Sequence, residues 1–275
     1  MNGRAFAPVA PVQVLQALLD KDPSLFGTYH LLLAHHTLEE GAKFRTLFQE
    51  VQKVVAAGDL EAPIVIMDNS IVELGNSVSF ESVRDACRII KEACPAATVI
   101  AVLPDVMGDG EATRDAVFEA YQQWTTDITC ADEFMAVCQG KDWEDYEASL
   151  NVFINQEEFP KITWLGVPRI LHKTLGTRTN AAIRAGYHEG VTHKVHLLGF
   201  SDDPVDDKHA AQVTGIFGID SAVPLRVDDN WNPLVKYPPR DPNWFAIAEF
   251  DELMEDNLLE ARAFFSGPHI HDLRK

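Results

Sequence analysis

Eight short apolar runs spaced along the chain constrain its fold more than any other feature of the sequence. Runs of this kind, with few polar residues until their last two or three positions, are typical of strands buried on both faces of a parallel sheet. Most are separated by segments with helical periodicity, and eight such alternating units predict a (β/α)8 barrel, an α/β fold. The runs span residues 4–10, 29–36, 63–70, 98–105, 133–140, 162–169, 194–200 and 217–224.

Helices are expected between these runs. The segment that begins at Ser79 has Glu81 in its first turn and an apolar face at helical spacing, formed by Val83, Ala86, Cys87, Ile90 and Cys94. Further helices are predicted within 110–124, 142–154, 177–190 and 203–216, and the clearest long helix spans 244–265. A doubly wound open sheet is the competing fold, but it usually carries a Gly-rich turn after its first strand, which "FAPVAPVQ" lacks.

Length and composition point to one soluble domain. A barrel of about 250 residues commonly forms a single domain, so we expect one domain over 1–275, with a Pro-rich connection at 228–244. The four cysteines have neither C-x-x-C nor zinc-ligand spacing, which indicates free, mostly buried thiols. No signal peptide and no apolar run of about 18 residues is present, so we expect no membrane association and a cytoplasmic location.

The net charge limits the possible partners. With 23 Lys and Arg against 42 Asp and Glu, the chain carries a formal charge of −19. Such a protein gains no long-range attraction to nucleic acid, because that attraction comes from neutralising phosphates. Any nucleic-acid partner would therefore need a local basic patch.

Polar residues recur where the predicted strands end. In barrels of this class, catalytic side chains come from the carboxyl ends of different strands. A single Asp in that position is more often a turn former or a helix N-cap, but here the placement recurs on several strands. The strand-end residues are His35, His36, Asp68, Asp105, Gln139, Gly166 and Asp220.

The same strand ends carry a resemblance to a known family. In order along the chain, from about residue 4 to residue 226, the pieces "IVIMDNSIVELG", "VIAVLPDVMGDGEATRDAVFEAYQQW", "FMAVCQGKDWEDYEASL", "ITWLGVPR", "KVHLLGFSDDP" and "GIDSAVPLR" resemble the motifs of tRNA-guanine transglycosylases, also called queuine tRNA-ribosyltransferases. The family's C-x-C-x-x-C zinc site is absent, and the double glycine that follows its first aspartate is replaced by Asn69, Ser70 and Ile71. The chain is most similar to the zinc-free phage and bacterial transglycosylases that insert 7-deazaguanine into DNA.

This resemblance implies a reaction and two catalytic carboxyl groups. The expected reaction exchanges guanine in a nucleic acid for a 7-deazaguanine such as preQ0. Asp220 would be the nucleophile that forms a covalent glycosyl-enzyme, and Asp68 would be the general acid and base, much as in retaining glycosidases. Ser221 and Ala222 would leave room for the ribose.

The resemblance also implies binding residues. Asp105 and Gln139 would read the polar edge of the base, and the remaining contacts to the base or ribose would come from Asn69, Ser70, His35, Leu165, Gly166, Leu198 and Gly199. Arg226 and Arg240 would hold phosphate, and the basic stretch after the sixth strand would supply Arg169, Lys173 and Arg178.

Other interpretations stay open at this stage. The polymer is expected to be DNA rather than tRNA, with the phage host's cytoplasm as the location if a phage encodes the chain, no metal, no cofactor and a possible homodimer. The alternatives are an enzyme that acts on tRNA, a catalytically silent barrel that serves as a partner subunit, and, more distantly, a metal-dependent hydrolase. The hydrolase would need alternate histidines on a strand, whereas His35 and His36 are adjacent and would point to opposite faces.

Overall fold

The strand pairing confirms the predicted barrel. The computed structural model describes residues 5–124, 130–155, 157–187, 193–201, 203–227 and 244–265. Within these residues, eight parallel strands form one sheet in the order β1-β8-β7-β6-β5-β4-β3-β2, and each strand is hydrogen-bonded to its neighbours in that order. The two end strands, β1 and β2, also contact each other, so the sheet curves into a nearly closed (β/α)8 barrel.

Each predicted apolar run coincides with a strand, and β8 begins one residue before its run. The strands are β1 (Ala5–Pro8), β2 (Tyr29–Leu33), β3 (Ile64–Asp68), β4 (Thr98–Val102), β5 (Glu133–Val137), β6 (Ile162–Pro168), β7 (Lys194–Leu198) and β8 (Ile216–Ser221). The helices are α1 (Val12–Lys21), α2 (Pro23–Phe26), α3 (Ala34–Glu39), α4 (Gly41–Ala57), α5 (Ile71–Leu74), α6 (Phe80–Ala93), α7 (Gly110–Trp124), α8 (Trp143–Phe153), α9 (Leu171–Leu175), α10 (Arg178–Gly186), α11 (Pro204–Ala211), α12 (Trp244–Ile247) and α13 (Glu252–Phe265), with a 3-10 turn at Val223–Leu225.

The strands bury both faces, as the continuous apolar runs predict. One cluster of side chains fills the barrel interior, and a larger cluster packs between the strands and the surrounding helices. At the amino end of the strands, the Trp164 indole donates to Glu133, and the Lys194 ammonium lies 4.8 Å from the centre of the Trp164 ring. The barrel interior is therefore a packed core. The end of the barrel that holds the carboxyl ends of the strands is called here the mouth.

Two helix predictions have different outcomes. The predicted start of α6 is confirmed, because the Ser79 hydroxyl caps the helix by accepting the Ser82 N–H at 3.2 Å. The predicted single helix over 244–265 is wrong, since α12 and α13 are separated at residues 248–251. Asp251 starts the second helix, because its carboxylate accepts the Met254 N–H at 2.9 Å and caps the first turn.

The remaining sequence-level expectations concern thiols and membranes. Cys87, Cys94, Cys130 and Cys138 are buried and free. Across the described part of the chain, no helix is both long and apolar enough to cross a bilayer. The Pro-rich segment lies outside the described residues apart from Trp244, which is buried.

Candidate active site

The barrel brings the two predicted catalytic acids to the same mouth. Asp68 is the last residue of β3, where it pairs with Leu33 of β2, and Asp220 lies one residue before the end of β8. The carboxyl ends of parallel strands meet on one rim of a barrel. The negative charge of Asp220 is close enough to help raise the pKa of Asp68.

Asp68 has surroundings that favour its protonated form. Burial is the largest cause that raises its pKa well above the usual value, and the charges of Glu73, Asp105 and Asp220 add to the effect. The Ser70 N–H donates to Asp68 Oδ2 at 2.8 Å and opposes the shift. A carboxyl group that keeps its proton to higher pH is suited to donate it to a leaving group.

The turn after β3 is held in an unusual backbone conformation. Ser70 has φ 63°, in the left-handed region that favours glycine, and it is the one non-glycine residue with positive φ in the described part of the chain. Because the Ser70 N–H bonds Asp68, this conformation fixes the orientation of the carboxyl group.

Asp105, Asn69 and Gln139 form one buried polar network. Asn69 Nδ2 donates to Asp105 Oδ1 at 2.6 Å, and Gln139 Nε2 donates to Asp105 Oδ2 at 2.6 Å. The Gly108 N–H donates to Gln139 Oε1 at 3.0 Å, which fixes the orientation of the amide. Burial raises the pKa of Asp105, and the two amide donors counteract that rise. Three residues predicted separately thus act as one rigid platform beside Asp68.

Asp220 is held by two N–H groups from β7 and the residue after it. His196 Nε2 lies 2.9 Å from Asp220 Oδ1, and the Gly199 N–H donates to the same oxygen at 3.0 Å. The other ring nitrogen of His196, Nδ1, lies 2.5 Å from the Tyr29 hydroxyl. Sequence reasoning missed Tyr29 and His196 because it examined strand ends, whereas both lie deeper in the barrel. The signal was available in the alternation of β7, which places His196 on the same face as Leu198.

The predicted wall for the base is formed by β6 and β7. Gly166 faces the interior, where an added Cβ would lie 2.8 Å from Leu198 Cδ1 and 3.3 Å from Met135 Sδ. Leu198 is partly exposed above it. The prediction for Leu165 concerns its main chain beside Gly166, and its side chain is buried in the outer cluster against the helices.

The two adjacent histidines do not lie on a strand. β2 ends at Leu33, so His35 and His36 belong to α3, and the prediction that they point to opposite faces of a sheet is wrong. His35 is half-buried near Ser70, and burial lowers its pKa. Among the described residues, no cluster of three or more His, Cys, Asp or Glu is arranged to hold a metal ion.

The predicted nucleic-acid contacts divide into three groups. Arg169 and Lys173 are exposed near the mouth, and the Arg226 guanidinium lies 5.2 Å from the centre of the Trp244 ring. Arg240 lies outside the described residues. Arg178 forms the third group, because its side chain is fully buried.

Arg178 is a structural residue and not a surface contact. Its side chain is fully buried, and its guanidinium donates to the carbonyl oxygens of Val167 at 2.7 Å, Leu198 at 2.8 Å and Gly199 at 2.6 Å. It also pairs with Asp207 at 2.9 Å. The residue therefore ties the ends of β6 and β7 together beneath the mouth and cannot reach a phosphate.

Glu73 is a further residue that sequence reasoning missed. It lies in α5, is exposed at the rim, and its charge is the largest electrostatic contribution to the raised pKa of Asp68. The pKa of Glu73 is itself raised, first by desolvation of its carboxylate and then by the charge of Asp220, and the positive charge of Arg169 opposes that rise. Glu73 therefore belongs to the charged surroundings of the mouth.

Comparisons with known proteins give a likeness at the level of the fold. No family model matches the chain, and no curated protein matches it. Among solved structures, it is similar to orotidine 5'-monophosphate decarboxylase from Methanocaldococcus jannaschii, with 7% identity over 97% of this chain and 100% of that one and a TM-score of 0.49. It is also similar to a GH5_18 protein from Bifidobacterium longum subsp. longum, with 9% identity over 98% of this chain and 80% of that one and a TM-score of 0.39. At these values neither likeness bears on the reaction, and the assignment of the barrel rests on the strand pairing.

Proposed function

We propose that the chain is a transglycosylase that exchanges guanine in a nucleic acid, DNA in preference to tRNA, for a 7-deazaguanine base such as preQ0. One observation carries the proposal: the two acids that the resemblance assigns to catalysis, Asp68 and Asp220, share the mouth but have different surroundings. Asp220 accepts hydrogen bonds from His196 and the Gly199 N–H, whereas burial and three neighbouring negative charges favour the protonated form of Asp68. This asymmetry is what a nucleophile and a general acid require.

The reaction would proceed in two displacements at C1′ of the sugar. Asp220 attacks C1′ to form a glycosyl ester, the bond from C1′ to the guanine breaks with its electron pair on the base, and Asp68 supplies the proton to that base. The incoming base then loses a proton to the Asp68 carboxylate, its nitrogen attacks C1′, and the Asp220 carboxylate leaves. Two inversions give net retention of configuration.

The base would be bound by the platform and the wall described above. A target base inside a duplex must be extruded from the stack, or be single-stranded already, to reach a site of this kind. The partly exposed face of Leu198 offers an apolar surface for the purine, and the network of Asp105, Asn69 and Gln139 offers polar atoms for its edge. The free 7-deazaguanine base is thus a partner of the same pocket.

Exchange of labelled guanine tests the proposal. The purified chain is incubated with radiolabelled guanine and either DNA or tRNA, and the nucleosides formed with preQ0 are identified by mass spectrometry. We expect incorporation into DNA, and we expect Asp220→Asn to abolish it. The control is Asp85→Asn, which replaces an acid on the outer helix α6 and should keep full incorporation. Incorporation into tRNA alone would support the RNA alternative. No incorporation into either polymer would contradict catalysis and favour the silent partner subunit.

A further inference from the structure

A buried chain of three side chains runs from the middle of the barrel to its mouth. Tyr29 of β2 and His196 of β7 are 3% and 0% exposed, and their polar atoms, the Tyr29 hydroxyl and His196 Nδ1, lie 2.5 Å apart. His196 Nε2 continues the chain to Asp220 Oδ1 at 2.9 Å. Around the barrel, through the contact of β1 with β2, the strands β8 and β1 separate β7 from β2, so Tyr29 reaches His196 across the interior.

The barrel makes room for this contact at Gly218. A Cβ added there would lie 2.5 Å from Tyr29 Cε1 and 2.7 Å from the Ala5 carbonyl oxygen. Any side chain on Gly218 would therefore displace the Tyr29 ring. The Tyr29 ring also packs against Phe217 and Trp164, with ring centres 5.3 and 6.4 Å away, which fixes its position from the other side.

The direction of the hydrogen bonds follows from the two ends of the chain. The Asp220 carboxylate that the proposed reaction requires can only accept, so His196 Nε2 donates to Oδ1. Nδ1 of a neutral imidazole is then an acceptor, and it receives the hydroxyl proton of Tyr29, which the phenol keeps because burial and the charge of Asp220 raise its pKa well above the usual value. Asp220 and Tyr29 thus both favour the tautomer that presents an N–H group to the carboxylate.

The result is a carboxylate that is held through one of its two oxygens. Asp220 Oδ1 receives both His196 Nε2 and the Gly199 N–H, and within the described ranges no hydrogen bond reaches Oδ2. The Asp220 side chain keeps 8% of its surface exposed. Rotation of the carboxylate would break both bonds to Oδ1.

We propose that His196, oriented by Tyr29, is the positioning residue that holds Asp220 in the orientation needed for attack on C1′. The inference rests on the proposed function, because that function assigns the nucleophile. His196 lies beneath the carboxylate, so its effect should appear in turnover and not in substrate affinity.

Kinetics of variants at His196 test this role. His196→Leu removes the N–H donor at similar size and should lower kcat by roughly 10- to 150-fold, the range expected for one hydrogen bond to a charged group, with the KM for polymer changed less than about threefold. His196→Gln returns an N–H donor near the position of Nε2 and should recover at least about tenfold of that loss. Tyr29→Phe, which loses a hydrogen bond between neutral groups, should lower kcat by about 2- to 13-fold.

A matched control separates positioning from packing. His30 is also fully buried and lies on β2, but its ring packs outside the barrel, 4.2 Å from the centre of the Phe26 ring. His30→Leu should therefore keep wild-type kcat, with thermal unfolding recorded for every variant. Wild-type kcat in His196→Leu, or no recovery in a folded His196→Gln, would overturn the inference.

A spectroscopic measurement makes the inference independent of turnover. Long-range ¹⁵N–¹H NMR spectra of the imidazoles should show His196 with its proton on Nε2, and Tyr29→Phe should shift the Nδ1 resonance, because that variant removes the donor to Nδ1. A proton on Nδ1 in the wild type would overturn the proposed chain. If the tautomer is as expected but the wild type exchanges no base, the proposed function fails and the role in holding a nucleophile falls with it. If the wild type exchanges base and His196→Leu does so equally well, the positioning role alone fails.

Discussion

Asp68 has surroundings that oppose its own charge. A carboxyl group whose pKa is raised in the folded state stabilises the fold only while it is protonated. That contribution is complete below the unfolded pKa near 3.8 and is lost as the pH rises through the folded pKa. At neutral pH the unfolded chain carries Asp68 ionised, so keeping its proton or burying its charge in the folded state costs stability.

Asp68→Asn should consequently separate activity from stability. We expect no base exchange, because the amide cannot donate and recover the proton, together with a more stable fold at pH 7.5. The gain is on the order of 1 kcal/mol for each pKa unit by which the group is raised, which corresponds to about 2–4 °C in Tm for each kcal/mol in a domain of this size. Urea unfolding of both proteins at pH 7.5 and pH 4 measures it, and the difference should shrink toward pH 4. A less stable variant at pH 7.5 would contradict the assigned surroundings of Asp68.

The residues that could be predicted from the sequence are those at strand ends. Asp68, Asp105 and Gln139 were recognisable because an apolar run stops at or near each of them, and register then brings such positions together. His196 was not recognised, because a histidine inside an apolar strand is more often a core residue. Arg178 was assigned to the wrong role, since a sequence shows the charge of a guanidinium but not the four backbone and carboxylate oxygens that surround it.

At the scale of elements, β8 carries Asp220, the proposed nucleophile, and the packing that supports it. Gly218, two residues before Asp220, lies against Ala5 of β1 and against the Tyr29 ring. Gly218→Ala should lower the free energy of unfolding by about 1–3 kcal/mol, as overpacking of a core does. It should also lower exchange activity, because the displaced Tyr29 would release His196.

Gly166→Ala is the matched comparison on β6. Its added Cβ would meet the movable end of Leu198 and not main-chain atoms, so we expect a smaller loss of stability, measured by urea unfolding, with a loss of activity through the base site. Equal stability of Gly218→Ala and the wild type would show that the barrel can accommodate the methyl group. That result would contradict the tight contact of β8 with β1 and Tyr29.

Element boundaries were harder to predict than element types. The eight strands follow from apolar runs, yet β2 ends before the two histidines, and α12 is separated from α13 by the cap at Asp251. In both places the sequence pattern continues past the end of the element. The pattern alone therefore does not show where the backbone turns. Caps are short-range hydrogen bonds, and they decide such ends after the pattern has decided the element.

The fold of the whole molecule follows from repetition, whereas its partner does not. Eight units of apolar strand and helix leave few arrangements other than a barrel with both strand faces covered. The formal charge of −19, in contrast, opposes the polymer that the proposed function requires. If nucleic acid is bound, the contacts must come from the few basic residues near the mouth.

The salt dependence of binding tests this last point. Three candidate residues within the described part of the chain, Arg169, Lys173 and Arg226, would release few counterions. The slope of log Kd against log salt concentration should therefore be about 3 or less for double-stranded DNA, at about 0.9 for each phosphate neutralised. Arg169→Gln should lower that slope by about one unit. Lys161→Gln, which removes an exposed charge from the opposite end of β6, should leave it unchanged.

A steep slope would require a different docking surface. Values of about 6 or more would mean that many phosphates are neutralised, which the basic residues near the mouth are too few to do. An unchanged slope in Arg169→Gln would likewise remove that residue from the interface. A shallow slope that falls in Arg169→Gln but not in Lys161→Gln would place the polymer across the rim beside Asp68. The acidic surface elsewhere would then limit binding to that one face.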